Sequence, residues 1–102
     1  MIRAVLLDLS GVVYDGDTPI PGAVAAIGRL RAEGLPIRFV SNTTRSSHGA
    51  IIAQLANLGV SVSSDELFTP ARAAVDWLAR GGCAPHLLVH PDLVPEFAGN
   101  MF

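Results

Sequence analysis

The stretch VLLDLSGVVYDGD, residues 5–17, decides the fold. Its first residues, IRAVLLDL with the preceding Ile2, Arg3 and Ala4, form a leucine-rich and β-branched run with few polar interruptions, which is how a strand covered on both faces reads. The run ends on Asp8 and breaks at once into Ser10-Gly11 and a short loop carrying Asp15 and Asp17. A carboxylate is therefore aimed off the end of a buried strand.

Outward from this stretch the pattern repeats. PIPGAVAAIGRLRAEG places Pro21 near a helix start, Val24, Ile27 and Leu30 at helical spacing, and Gly34 where the helix ends. LPIRFVSN is a second strand, ending on the polar pair Ser41-Asn42. In SSHGAIIAQLANLG, Ser46 or Ser47 caps a second helix that carries Ile51, Leu55 and Leu58 on one face and stops at Gly59. TPARAAVDWLARGG opens with Thr69 as cap and Pro70 at the first helical position, buries Ala74, Val75 and Leu78, and closes on Gly81-Gly82. A third strand is expected at HLLVH, residues 86–90, with His86 and His90 flanking it.

Strands alternating with helices of this length imply parallel pairing, because parallel neighbours need a long crossover, nearly always right-handed. The predicted class is α/β: a three-layer, Rossmann-like parallel sheet of about three strands with helices on both faces, in one domain over residues 1–102. The tail PDLVPEFAGNMF, with two prolines and an apolar end, reads as an interrupted architecture.

Bulk properties bound the function. The chain has 102 residues, 50% of them apolar and 16% charged, which fits one folded domain. Net charge is −2, and the seven basic residues are scattered singly, so no basic stripe is present to track a nucleic acid. All seven are arginine; the chain contains no lysine. No apolar stretch approaches the roughly 20 residues of a membrane span, and Asp8 interrupts the start where a signal peptide stays apolar. A single cysteine, Cys83, read as a packing residue, excludes an internal disulfide and suits a reducing cytoplasm.

In open parallel sheets, ligands bind beyond the carboxyl ends of the strands. Asp8 and Ser41 both sit at such ends, so adjacent strands bring a carboxylate and a hydroxyl to one rim, beside the SGVV turn and the start of the second helix. That rim suits a phosphate. A bare carboxylate repels an anion, which calls for a divalent cation; Mg2+ takes one or two carboxylates, waters and substrate phosphate oxygens. The carboxylate is then available to attack phosphorus.

On these residues the chain resembles the haloacid dehalogenase superfamily. VLLDLSGVVYDGD is similar to its first motif, an apolar strand followed by Asp-x-Asp-Gly-x-x, and IRFVSN is similar to its second, an apolar strand ending in Ser or Thr. The segment between them resembles the capped subgroup of phospholysine, phosphohistidine and inorganic pyrophosphate phosphatases. The resemblance implies that Asp8 is the nucleophile and, with the Ser10 carbonyl, a magnesium ligand. It implies that Ser41 binds the phosphate, that Asn42 adds a backbone amide, that Gly11 turns the chain, and that VVYDGDTPI is a flap over the site. The implied substrate is a small phosphorylated compound or pyrophosphate.

Two departures stand out. Ser10 occupies the position where most phosphatases of the family carry a second Asp, the general acid, and an alcohol cannot do that work near neutrality. The resemblance then narrows the substrate to one whose leaving group departs easily, with Asp15 or Asp17 as candidate replacement acids. The family also uses a later Lys and a later acidic pair, and here only Asp92 and Glu96, read as surface residues, follow residue 90. The chain thus corresponds to part of a longer enzyme, without the cap and the C-terminal half of the core, weak or inactive in isolation. The open edge of the Asp8 strand is expected to drive self-association. Arg45 is a candidate phosphate contact or a loop cap, Trp77 a core or partly covered residue, and the three histidines lack metal-ligand spacing. A non-catalytic interaction domain is the second reading. A phospho-receiver module is the third, disfavoured because it wants an acidic pair after the first strand and an acceptor Asp after the third.

Overall fold

The computed structural model describes residues 1–82 and 84–100; Cys83 lies outside them. The chain runs β1 (Val5–Asp8), β2 (Tyr14–Asp15), β3 (Thr18–Pro19), α1 (Ala23–Ala32), β4 (Ile37–Val40), α2 (His48–Asn57), β5 (Leu67–Phe68) and α3 (Pro70–Gly81), and ends in a 3-10 helix over Pro91–Asn100. A short 3-10 turn, Ser64–Glu66, leads into β5.

The main sheet is parallel, in the order β1-β4-β5. Its register pairs Leu7 with Phe39 and Phe39 with Leu67, so one face carries Val5, Leu7, Ile37, Phe39 and Leu67. Ile27 of α1 and Ile51 and Leu55 of α2 close over that face, together with Leu9, Val13, Val60 and Val62, in a single buried cluster. The guanidinium of Arg31 lies over the Phe39 ring at 5.8 Å and extends the cover.

The helix signals act where the sequence puts them. Ser47 accepts from the Ala50 amide at 3.1 Å and starts α2. Thr69 accepts from the Arg72 amide at 3.2 Å, with Pro70 next, and starts α3; Gly82, at φ 64°, stops it in the left-handed conformation that glycine adopts freely. Pro21 stands outside α1, whose cap is Gly22.

Three expectations need correction. Residues 86–90 do not form a strand; the third strand is Leu67–Phe68, between α2 and α3. HLLVH joins α3 instead: Leu87 packs beside Ala71, Leu93 and Phe97 in a second, smaller cluster, with Leu88 fully exposed. On α3 the buried residue is Ala71, while Val75 and Leu78 are half-buried and Ala74 is exposed, because the helix turns its apolar stripe toward residues 91–97. Trp77 is likewise largely exposed.

The third correction concerns cover. The two crossovers, β1-α1-β4 and β4-α2-β5, step the same way across the sheet, and right-handed connections that do so put both helices on one side. The opposite face bears Leu6, Val40 and Phe68, which are 72%, 38% and 53% exposed. Cover on both faces of β1 is therefore met on one. The molecule is only 17 Å thick along its shortest axis, room for one helix layer of about 10 Å on a sheet.

Candidate functional site

The rim is built by strand ends. Asp8 is the last residue of β1 and pairs in register with Val40, the last of β4, so Ser41 follows one residue beyond on the neighbouring strand. With a strand spacing of ~4.8 Å and a rise of ~3.3 Å, their Cα atoms lie about 6 Å apart on one lip of the sheet. Asp8 is exposed; its Oδ1 accepts from the Leu9 amide at 2.8 Å, which orients the carboxylate and leaves Oδ2 unclaimed among the described residues.

The turn that follows is fixed by Leu9. Its side chain is fully buried, and its carbonyl accepts from the amides of Val12, Val13 and Tyr14. Gly11 adopts φ 81°, which a side chain would resist, and donates its amide to the Tyr14 carbonyl at 2.7 Å. No hydrogen bond within the described residues ends on the Ser10 carbonyl. The segment expected to be a flap is a small hairpin of β2 and β3 turning through Gly16 and the exposed Asp17. Gln54 of α2 donates to the Gly16 carbonyl at 3.0 Å and ties it down.

Ser41 is buried. Its amide donates to the Phe68 carbonyl at 2.9 Å, and its hydroxyl oxygen accepts from the Thr43 amide at 3.3 Å, leaving the hydroxyl proton free to donate. Asn42 is exposed beside it. Arg45 is exposed, and its amide is held by the Thr43 hydroxyl at 3.4 Å.

Burial first, and the Asp8 charge second, push the Tyr14 phenol above its ordinary value. Tyr14 was not singled out from the sequence; its place opposite Ser10 in an isolated bridge comes from the turn. Oxygen donors, one carboxylate and one free carbonyl, fit part of a magnesium shell. No cluster of three or more His, Cys, Asp or Glu suited to a metal occurs among the described residues.

Residues outside the rim sort differently. His90 stands beside Asp92, whose amide donates to its Nδ1 at 3.1 Å, in the loop that replaces the expected strand. Glu96, expected at the surface, instead reaches α2: its Oε1 accepts from the His48 amide at 2.7 Å, and its Oε2 is buried. A tie spanning 48 residues has no local signal in a sequence. The groove of about 520 Å³ between α3 and the terminal 3-10 helix is lined by apolar residues such as Ala71, Leu93 and Phe97, and includes neither Asp8 nor Ser41. Its polar lining is confined to Thr44 and His90.

A parallel α/β sheet with polar side chains at adjoining strand ends belongs to the open α/β class, in which ligands bind beyond those ends. The match to known proteins is more specific: residues 5–100 fit the haloacid dehalogenase-like hydrolase family, and the chain belongs to it. It is 43% identical over 101 residues to the phospholysine phosphohistidine inorganic pyrophosphate phosphatase of Xenopus laevis, covering 94% of this chain and 37% of that protein. It is 42% identical over 98 residues to human haloacid dehalogenase-like hydrolase domain-containing protein 2, covering 96% and 38%. Among solved structures it superposes on the 4-nitrophenylphosphatase of Thermotoga maritima with a TM-score of 0.86 at 27% identity, over 97% of this chain and 39% of that one. The glycerol phosphate phosphatase of Mycobacterium tuberculosis, solved with magnesium, gives 0.75 at 30% identity, over 95% and 30%. The chain thus spans well under half the length of the curated relatives it matches.

Proposed function

We propose that this chain carries the nucleophile half of a magnesium-dependent phosphohydrolase acting on small phosphorylated compounds or pyrophosphate. The observation that carries this is the placement of Asp8 and Ser41 on adjoining strand ends at one lip. The family match and the phosphatases among the relatives support it. On this reading residues 1–102 belong to a core domain that works in the cytoplasm. No helix among the described residues is long and apolar enough to cross a membrane.

In the chemistry that follows, a carboxylate oxygen of Asp8 attacks phosphorus, the bond from phosphorus to the leaving oxygen or nitrogen breaks, and an aspartyl-phosphate forms. Water then attacks that phosphorus, releasing orthophosphate and returning the carboxylate. The Leu9 amide holds Asp8 in line, the Ser41 hydroxyl donates to a phosphoryl oxygen, and the Asn42 amide adds a second donor. Asp8 and the Ser10 carbonyl would hold Mg2+, which supplies charge neutralisation when bound. Ser10 cannot protonate a leaving group, so substrates with good leaving groups are favoured; Asp15 and Asp17 stay candidate acids, removed from consideration if Asn at each leaves the rate unchanged.

The test is magnesium-dependent phosphate release from pyrophosphate and p-nitrophenyl phosphate. Turnover by this chain is expected to be weak, since it has no lysine to offset the charge, and Asp8→Asn abolishes it. Release that survives Asp8→Asn overturns the mechanism. No release from the unaltered chain favours the second reading, an interaction domain built on the same core.

A further inference from the structure

His48 opens α2 and is only 5% exposed. Its Nε2 lies 2.7 Å from the Ser64 carbonyl oxygen, and because a carbonyl only accepts, Nε2 carries the proton. Its backbone amide donates to Glu96 Oε1 at 2.7 Å. The Nδ1 of His48 and the Oε2 of Glu96 are buried with no partner among the described residues. A half-satisfied polar pair adds little stability over apolar packing; what its two short bonds supply is direction.

That direction bears on the rim. The loop from Ser41 to Ser47 starts where the Ser41 amide is bonded to the Phe68 carbonyl, and ends where His48 is bonded to the Ser64 carbonyl. Both ends are thus pinned to one short segment, residues 64–68, while Glu96 holds the same end from the other side. Between the pins, among the described residues, only the Thr43 amide on the Ser41 oxygen and the Arg45 amide on the Thr43 oxygen, at 3.3 and 3.4 Å, stiffen the loop. These are weak bonds. The strong ones are at the ends.

We propose that His48 and Glu96 are positioning residues: they fix the far end of the 41–47 loop and so aim the Ser41 hydroxyl and the amides after it at the phosphoryl group. The phosphoryl part rests on the function proposed above; the mechanical part does not. Neither residue touches the phosphate, and each acts through the backbone of the loop.

The experiment uses the full chain, 15N-labelled, titrated with inorganic phosphate in the presence of Mg2+ while the amides of Ser41, Asn42 and Thr43 are followed. Glu96→Ala is expected to weaken binding at least ~10-fold, in line with the cost of small misplacements. Glu96→Gln, which keeps a carbonyl acceptor for the His48 amide, recovers most of that loss. Ile27→Ala, which removes buried core from α1, outside the 41–68 span, leaves binding unchanged despite lower stability. Equal binding by Glu96→Ala and the unaltered chain, or an equal loss in Ile27→Ala, overturns the assignment. Should Glu96→Ala not fold, His48→Phe, which fills the space without the Ser64 bond, carries the same expectation. If the unaltered chain shows no phosphate response, the phosphatase reading fails, and hydrogen exchange decides the mechanical part. The Thr43 and Arg45 amides should exchange about 10-fold faster in Glu96→Ala; unchanged exchange refutes it.

Discussion

The two faces of the main sheet both carry large apolar side chains, the outer one beside the charged Asp8 and Arg38, and these apolar residues have opposite fates. Ile37, Phe39 and Leu67 are almost wholly buried under α1 and α2, whereas one residue along each strand, Leu6, Val40 and Phe68 stand open. Apolar composition therefore says that a strand belongs in a core. It does not say which part of the polypeptide supplies the cover.

The largest test of this contrast replaces one aromatic on each face. Phe39→Ala is expected to cost about 3–5 kcal/mol, the usual range for a buried aromatic, and Phe68→Ala well under half of that, read by urea denaturation. Equal losses would mean that the outer face is covered in solution. We next expect concentration-dependent association through β1 and the outer face, because an unpaired strand edge with Leu6 exposed invites pairing. Sedimentation should show it, and Leu6→Lys should shift the chain toward monomer with little change in folding stability. A monodisperse unaltered chain at high concentration would refute the association.

The smallest effect concerns the turn that feeds β5. The Ser63 amide, donating to Glu66 at 2.9 Å, is the main cause that holds the Glu66 carboxyl below its ordinary value of 4.5. Arg38, on the open face, adds an ion pair at 3.9 Å. A carboxyl depressed on folding contributes stability that is complete above that ordinary value and is lost as pH falls through the lower folded one. Glu66→Gln should therefore flatten the acid limb of the stability curve below about pH 5 and leave its slope at neutrality unchanged. An unaltered acid limb would assign the acid sensitivity to another group.

The fold was legible wherever a local rule acts. Ser47 and Thr69 read as caps because a short side-chain oxygen before an apolar period is a helix start in almost any context. Asp8 and Ser41 read as a rim because strand ends in parallel sheets converge; their chemical roles await the experiments above. The third strand was misread because Leu67–Phe68 is too short for alternation to show, and it is a strand only through its bonds to β4. HLLVH has the better composition, yet its Leu87 packs beside α3 and the segment joins no sheet. Glu96 looked like a surface acid for a similar reason: its neighbours Leu93 and Phe97 pack on α3, and that packing carries its carboxylate to a helix 48 residues earlier in the chain.

The double anchorage of the 41–47 loop has a dynamic consequence. Since Ser64 and Phe68 hold its two ends, the span from residue 41 to residue 68 closes on itself like a clasp. Breaking either fastening frees both, so this span should open as one cooperative unit, independently of residues 84–90. A phosphate held by Ser41 would then slow amide exchange as far away as the 63–66 turn, which it never touches.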